Sequence, residues 1–136
     1  MSILNFFTKF TLVYTVLMAI AGVILGLLEV ESASSVNTPI LFAIAFWCFY
    51  SYSSKNARVI EGAEKWKLIF AALAGDIIAS SLLAAPMVIA NEIPLNYLLI
   101  GMAITIPLHL LVFVAVNYVA KKQILKLLPE LGEQNG

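Results

Sequence analysis

The stretch Lys55-Asn56-Ala57-Arg58-Val59-Ile60-Glu61-Gly62-Ala63-Glu64-Lys65-Trp66-Lys67 holds four of the chain's eight Lys and Arg residues. The segments on either side of it, Val36–Ser54 and Leu68–Ala90, hold none. Further out lie two more apolar runs, Phe10–Leu28 and Ile93–Val119, again without a base. Lys9 precedes the first run, and Lys121, Lys122 and Lys126 follow the last. Each run is near the ~20 residues a helix needs to cross ~30 Å of hydrocarbon. The expected fold is an all-α transmembrane bundle of four helices.

Composition agrees. Hydrophobic residues make up 62% of the 136 and charged residues 12%, against roughly 45–50% and 25% in soluble domains. The spans leave only short connections, so residues 1–136 are expected to form a single integral membrane domain. Cys48 is the only cysteine and falls inside the second run, so no intramolecular disulfide forms.

Charge orients the bundle. The connection Glu29–Ser35 carries two acids and no base, and the turn Asn91–Pro94 carries Glu92 and no base. Cytoplasmic loops collect Lys and Arg, so both termini and the 55–67 connection should be cytoplasmic. Ser32-Ala33-Ser34 has the small residues of a signal-peptide cleavage site. The preceding apolar run is longer than the roughly 7–15 residues of a signal core, so retention as a span is expected.

Inside the runs the texture is helical. Gly22 and Gly26 form a GxxxG step in the first span. In the third, Ala71, Gly75 and Ala79 form one row and Ala72, Asp76, Ser80 and Ala84 the next. Small side chains let helices approach closely, so these rows are expected at seams within the bundle. The third helix should pack on the fourth and bury the Ala72–Asp76–Ser80 row. The same texture admits a homodimer, or an envelope protein, as a partner. Pro86 and Pro107 lie within spans and should loosen their helices locally. Tyr50, Tyr52 and Trp66 read as an interfacial belt; an aromatic box for a cation is the sharper alternative. The tail beyond Val119 keeps an apolar side beside its three lysines until Pro129. It should continue the fourth helix to meet anionic lipid at the cytoplasmic face. No nucleic-acid partner is expected.

Two ionisable residues lie within the apolar runs. Asp76 is nine residues past Lys67 and His109 twelve before Lys121, which puts them ~13 Å and ~18 Å along their helices at 1.5 Å per residue. On adjacent antiparallel helices they reach similar depth. An unpartnered carboxylate there costs about 2.5–3.5 kcal/mol on insertion scales, so Asp76 should face the bundle. His109 is the expected partner, Asn117 a second candidate, and Ser80 and Thr105 lie one turn from each member of the pair. A buried carboxylic acid can be lifted toward neutral pH, where an imidazole already titrates. The pair therefore reads either as a clasp that fixes helix register or as the proton site of a small exporter. With no second carboxylate in the spans to complete a relay, the clasp is the expected role. A water-filled, open cavity reaching Asp76 would favour transport instead, and a dry, closed bundle the structural role.

Enzymatic chemistry is not expected. One His and one Asp are too few for a zinc site. Ser80 or Ser81 with His109 and Asp76 has the residue types of a hydrolytic triad but no glycine-flanked serine motif, and Ser80 is expected to bond its own backbone. No phosphate-cradling loop or dinucleotide fingerprint occurs, so no cofactor is expected.

The length, the four spans, Phe7-Thr8-Lys9-Phe10 at the start, the Leu27-Leu28-Glu29 exit and Pro107-Leu108-His109 in the fourth span carry a resemblance. Over essentially its whole length the chain resembles the ABZJ-type (AciT-like) family of small gammaproteobacterial inner-membrane proteins. The resemblance implies a non-enzymatic protein linked to envelope permeability and antibiotic susceptibility, and it supplies no catalytic motif. In size the chain is also similar to the small multidrug resistance exporters. Those carry an essential glutamate in the first span, where this chain has no acid between Phe10 and Leu28.

Overall fold

The computed structural model describes residues 1–29 and 36–133. Four long helices account for nearly all of them: α1 (Ile3–Leu27), α2 (Asn37–Asn56), α3 (Gly62–Ala90) and α4 (Leu95–Leu127). A single turn, α5 (Glu130–Glu133), follows Pro129. Among the described residues there is no strand. The Ser32-Ala33-Ser34 site and Glu31 lie outside the described residues.

Local signals explain the ends. Ser2 caps α1 by accepting a hydrogen bond from the Asn5 amide at 3.1 Å, and Pro94 sits just before α4, where its missing N–H costs nothing. Ala57 closes α2 in the left-handed region at φ 48°. There the Arg58 amide donates to the Ser53 carbonyl at 3.2 Å, and the Ser53 hydroxyl donates to the Arg58 carbonyl.

Around the bundle the order is α1, α2, α4, α3, with the largest seams between α1 and α3 and between α2 and α4. The start of α1, the 57–61 connection and the end of α4 share one end. Asn56 Nδ2 donates to the Met1 carbonyl at 3.1 Å, Lys121 pairs with Glu61, and Val59 packs with Ile124 and Leu131. This basic end contrasts with an acidic end bearing Glu29 and Glu92.

Helices α1, α3 and α4 are each long and apolar enough to cross a membrane. The sequence suggests four equivalent spans, and α2 differs from the other three. Its 20 residues suffice in length, yet Asn37 and Thr38 at one end and Ser51-Tyr52-Ser53-Ser54 at the other dilute its apolar run.

Packing is uneven along the bundle. The buried residues of α1 are Phe6, Phe10 and Tyr14, with none beyond. Those of α3 end at Ala79 and those of α4 begin at His109. The basic half therefore holds the core. Phe6 meets Phe49 edge-on at 5.1 Å between centroids, and Phe10 meets Phe113 at 5.7 Å, tying α1 to α2 and α4. Tyr52 joins this core rather than an interfacial belt, 2% exposed, and its hydroxyl donates to Glu64 Oε1 at 2.5 Å. The chain's own lysines lie over its tryptophans: Lys9 Nζ is 3.8 Å from the Trp47 ring centroid and Lys65 Nζ 5.0 Å from that of Trp66.

The small-residue rows divide in the same way. A Cβ added at Gly75 would lie 2.4 Å from Thr11 Oγ1 and 3.0 Å from the Phe10 ring, so close approach of α1 and α3 requires glycine there. One added at Gly22 or Gly26 would meet nothing within 4 Å; the GxxxG step forms no seam with the described residues. On α3, Ala72 and Asp76 are buried, whereas Ser80 is exposed. The expected burial of that whole row is corrected: α3 and α4 part just beyond Asp76. Each carries a proline in the parted region, Pro86 and Pro107, which frees the carbonyls of Leu82 and Ala103 from their helical bonds.

Candidate functional site

Asp76 and His109 sit where the packed half gives way to the open one. They are 3% and 7% exposed, and His109 Nδ1 lies 2.5 Å from Asp76 Oδ2. The antiparallel course of α3 and α4 sets the two side chains level. Ser80, one turn along α3, donates to Asp76 Oδ1 at 3.3 Å rather than to its own backbone, so both carboxylate oxygens are engaged. Thr105, one turn before His109 on α4, is exposed to the space beside the pair.

Asn117, the second candidate partner, is not brought to Asp76. It lies two turns beyond His109 toward the basic end, about 12 Å at helical rise, and is itself buried.

Two contributors escape the sequence reading. Tyr14 of α1, 1% exposed, interacts with Asp76 and Ser80, and its hydroxyl donates to Asn37 Oδ1 of α2 at 2.5 Å. All four long helices thus supply a polar side chain to one cluster. The usable signal is that Tyr14 extends the buried stripe Phe6–Phe10 by one more helical step yet carries a hydroxyl, which inside an apolar core needs a partner.

From Asp76 toward the acidic end, α3 and α4 enclose a cleft of about 310 Å³. Asp76, Ser80, Ser81 and Thr105, with the hydroxyl-bearing Tyr97, are its polar lining; Ile77, Val88, Leu98 and Ile106 are among its apolar walls. A carboxylate therefore lies at the inner end of an apolar slot, a form that suits a ligand with an apolar body and one polar group.

The arrangement has clear chemical consequences. One proton shared by Asp76 and His109 leaves the pair without net charge; its loss leaves one negative charge at the end of the cleft. Ser80 and His109 both contact the carboxylate, so the imidazole does not lie between serine and acid as nucleophile activation demands. Among the described residues, no three His, Cys, Asp or Glu side chains converge to hold a metal.

Comparison with protein-family models, with curated proteins and with solved structures finds no match.

Proposed function

We propose that the chain is a non-enzymatic, four-span inner-membrane protein with both termini cytoplasmic, and that the α3–α4 cleft binds a lipophilic cation in exchange for the proton held by Asp76 and His109. The observation that carries this reading is the open cleft with Asp76 at its inner end. Three helices have the length and apolarity to cross a membrane, and α2, antiparallel to α1, has the length to complete the fourth crossing. The one-sided Lys and Arg supply the orientation.

The coupling has a physical cause. An uncompensated carboxylate at this depth costs about 2.5–3.5 kcal/mol, so a shared proton and a bound cation are alternative ways of offsetting that cost. A bound cation removes that cost, the proton leaves, and the exchange is electroneutral. Altered envelope permeability and antibiotic susceptibility would follow in the cell, the outcome the ABZJ-type resemblance also implies.

A clasp is the second reading, favoured by the direct Asp76–His109 contact and its burial. Cells lacking the protein, complemented with wild type or Asp76→Asn, separate the two. Transport predicts that Asp76→Asn reaches the membrane normally yet leaves cationic-dye efflux and susceptibility as in the deletion strain. Full complementation by Asp76→Asn would leave only the clasp.

A further inference from the structure

A second cavity, about 380 Å³, lies at the basic end between the start of α3 and the last turns of α4. Gly62, the first residue of α3, lines it, and no side chain caps that helix. First-turn N–H groups and aligned peptide dipoles favour an anion at such an end. Lys65 and Lys121 also line the cavity, together with Glu61, which pairs with Lys121. Two cations and one carboxylate leave one positive charge.

An independent observation points to a ligand. Asn117 lines the same cavity, is 5% exposed, and its Oδ1 is buried without a hydrogen-bond partner among the described residues. A buried acceptor left so is costly, and a turn of the Asn117 amide would present it to a donor in the cavity that this residue lines.

We propose that this cavity binds a phosphodiester lipid headgroup that carries a free hydroxyl. Its phosphate sits between Lys65 and the amino end of α3, and its hydroxyl donates to Asn117 Oδ1. A phosphodiester bears a single negative charge, which matches the cavity. A choline headgroup cancels that charge internally and has no O–H or N–H to offer Asn117. The exposed Tyr118 ring at the rim suits the headgroup level of a bilayer. The inference rests on the membrane reading of this end of the bundle and is independent of what Asp76 does.

Native mass spectrometry of the detergent-purified protein, offered equal phosphatidylglycerol and phosphatidylcholine, tests it. Wild type should retain phosphatidylglycerol severalfold over phosphatidylcholine. Lys65→Gln and Asn117→Leu should each remove that preference, and Asp76→Asn should keep it. If Asn117→Leu does not fold, Lys65→Gln decides alone. Displacement of the lipid by millimolar glycerol phosphate would identify a soluble phosphate ester as the source of the same chemistry; retention identifies the lipid. Equal retention of both lipids by wild type, or an undiminished preference in Lys65→Gln, overturns the proposal.

Discussion

The two halves of this bundle are both strongly apolar and behave differently. In the basic half, Phe6, Phe10, Phe49 and Phe113 interlock and Gly75 lets α1 press onto α3. In the acidic half, Ile20, Ile24, Leu82 and Leu99 are equally apolar, yet each is at least half exposed. Hydrophobicity alone cannot separate them, because lipid is as apolar as leucine and gives no drive for burial. What separates them is shape: rings and a glycine that fit one another, against prolines and small residues without a facing partner. The polar cluster sits at the boundary, where a fixed wall meets an open cleft.

The widest gap between the halves should appear on truncating aromatic packing. Phe10→Ala should destabilise by about 3–5 kcal/mol, whereas Ile20→Ala, 50% exposed in the native protein, should stay within about 0.5 kcal/mol. Unfolding in mixed micelles followed by circular dichroism reads both. Similar losses at the two sites would mean that the acidic half is packed after all.

Glycine offers a sharper version of the same contrast. Gly75→Ala forces a methyl against Thr11, whose hydroxyl is committed to the Phe7 carbonyl at 2.8 Å, and should cost about 1–3 kcal/mol. Gly22→Ala enters open space and should leave stability unchanged or slightly raised. The same unfolding assay decides.

At the boundary, Asp76→Leu strands His109 and should cost about 1–3 kcal/mol for the unsatisfied imidazole. Thr105→Val, facing the cleft one turn away, should be nearly neutral. An Asp76→Leu protein as stable as wild type would remove the pair from the account of the fold.

The smallest effect is expected in the connection at the basic end. Ala57 holds φ 48°, a conformation that burdens a Cβ, so Ala57→Gly should gain up to about 1 kcal/mol. A loss would show that the Ser53–Arg58 closure, rather than the left-handed residue, limits that turn.

Much of the architecture is legible in the sequence. Runs free of Lys and Arg give the three apolar helices with little ambiguity, and the depths of Asp76 and His109 on antiparallel helices bring them level. The cleft is not legible. Whether Ala72, Asp76 and Ser80 face a helix throughout depends on where α3 and α4 separate, and helical spacing reports a face without reporting the distance to its neighbour. Tyr14 and Asn37 are hidden for a similar reason. Tyr14 reaches the pair, and Asn37 reaches Tyr14, from helices that are distant in sequence; the Tyr14 hydroxyl signals that a partner is needed without saying which. Tyr52 shows the converse: a tyrosine near a span end suggests the interface, yet Glu64 gives its hydroxyl a partner inside the packed half.

The central claim is that a cation in the cleft displaces the proton on the Asp76–His109 pair. Tetraphenylphosphonium titrated into weakly buffered, purified protein, with calorimetry for binding and a pH-sensitive dye for protons, tests this directly. The account predicts that one proton is released per cation bound. Because the loaded form is the deprotonated one, affinity should rise with pH, by up to about tenfold per unit while the pair is protonated. Asp76→Asn should neither bind nor release. Binding to wild type with no proton released, or equal binding by Asp76→Asn, would contradict the account.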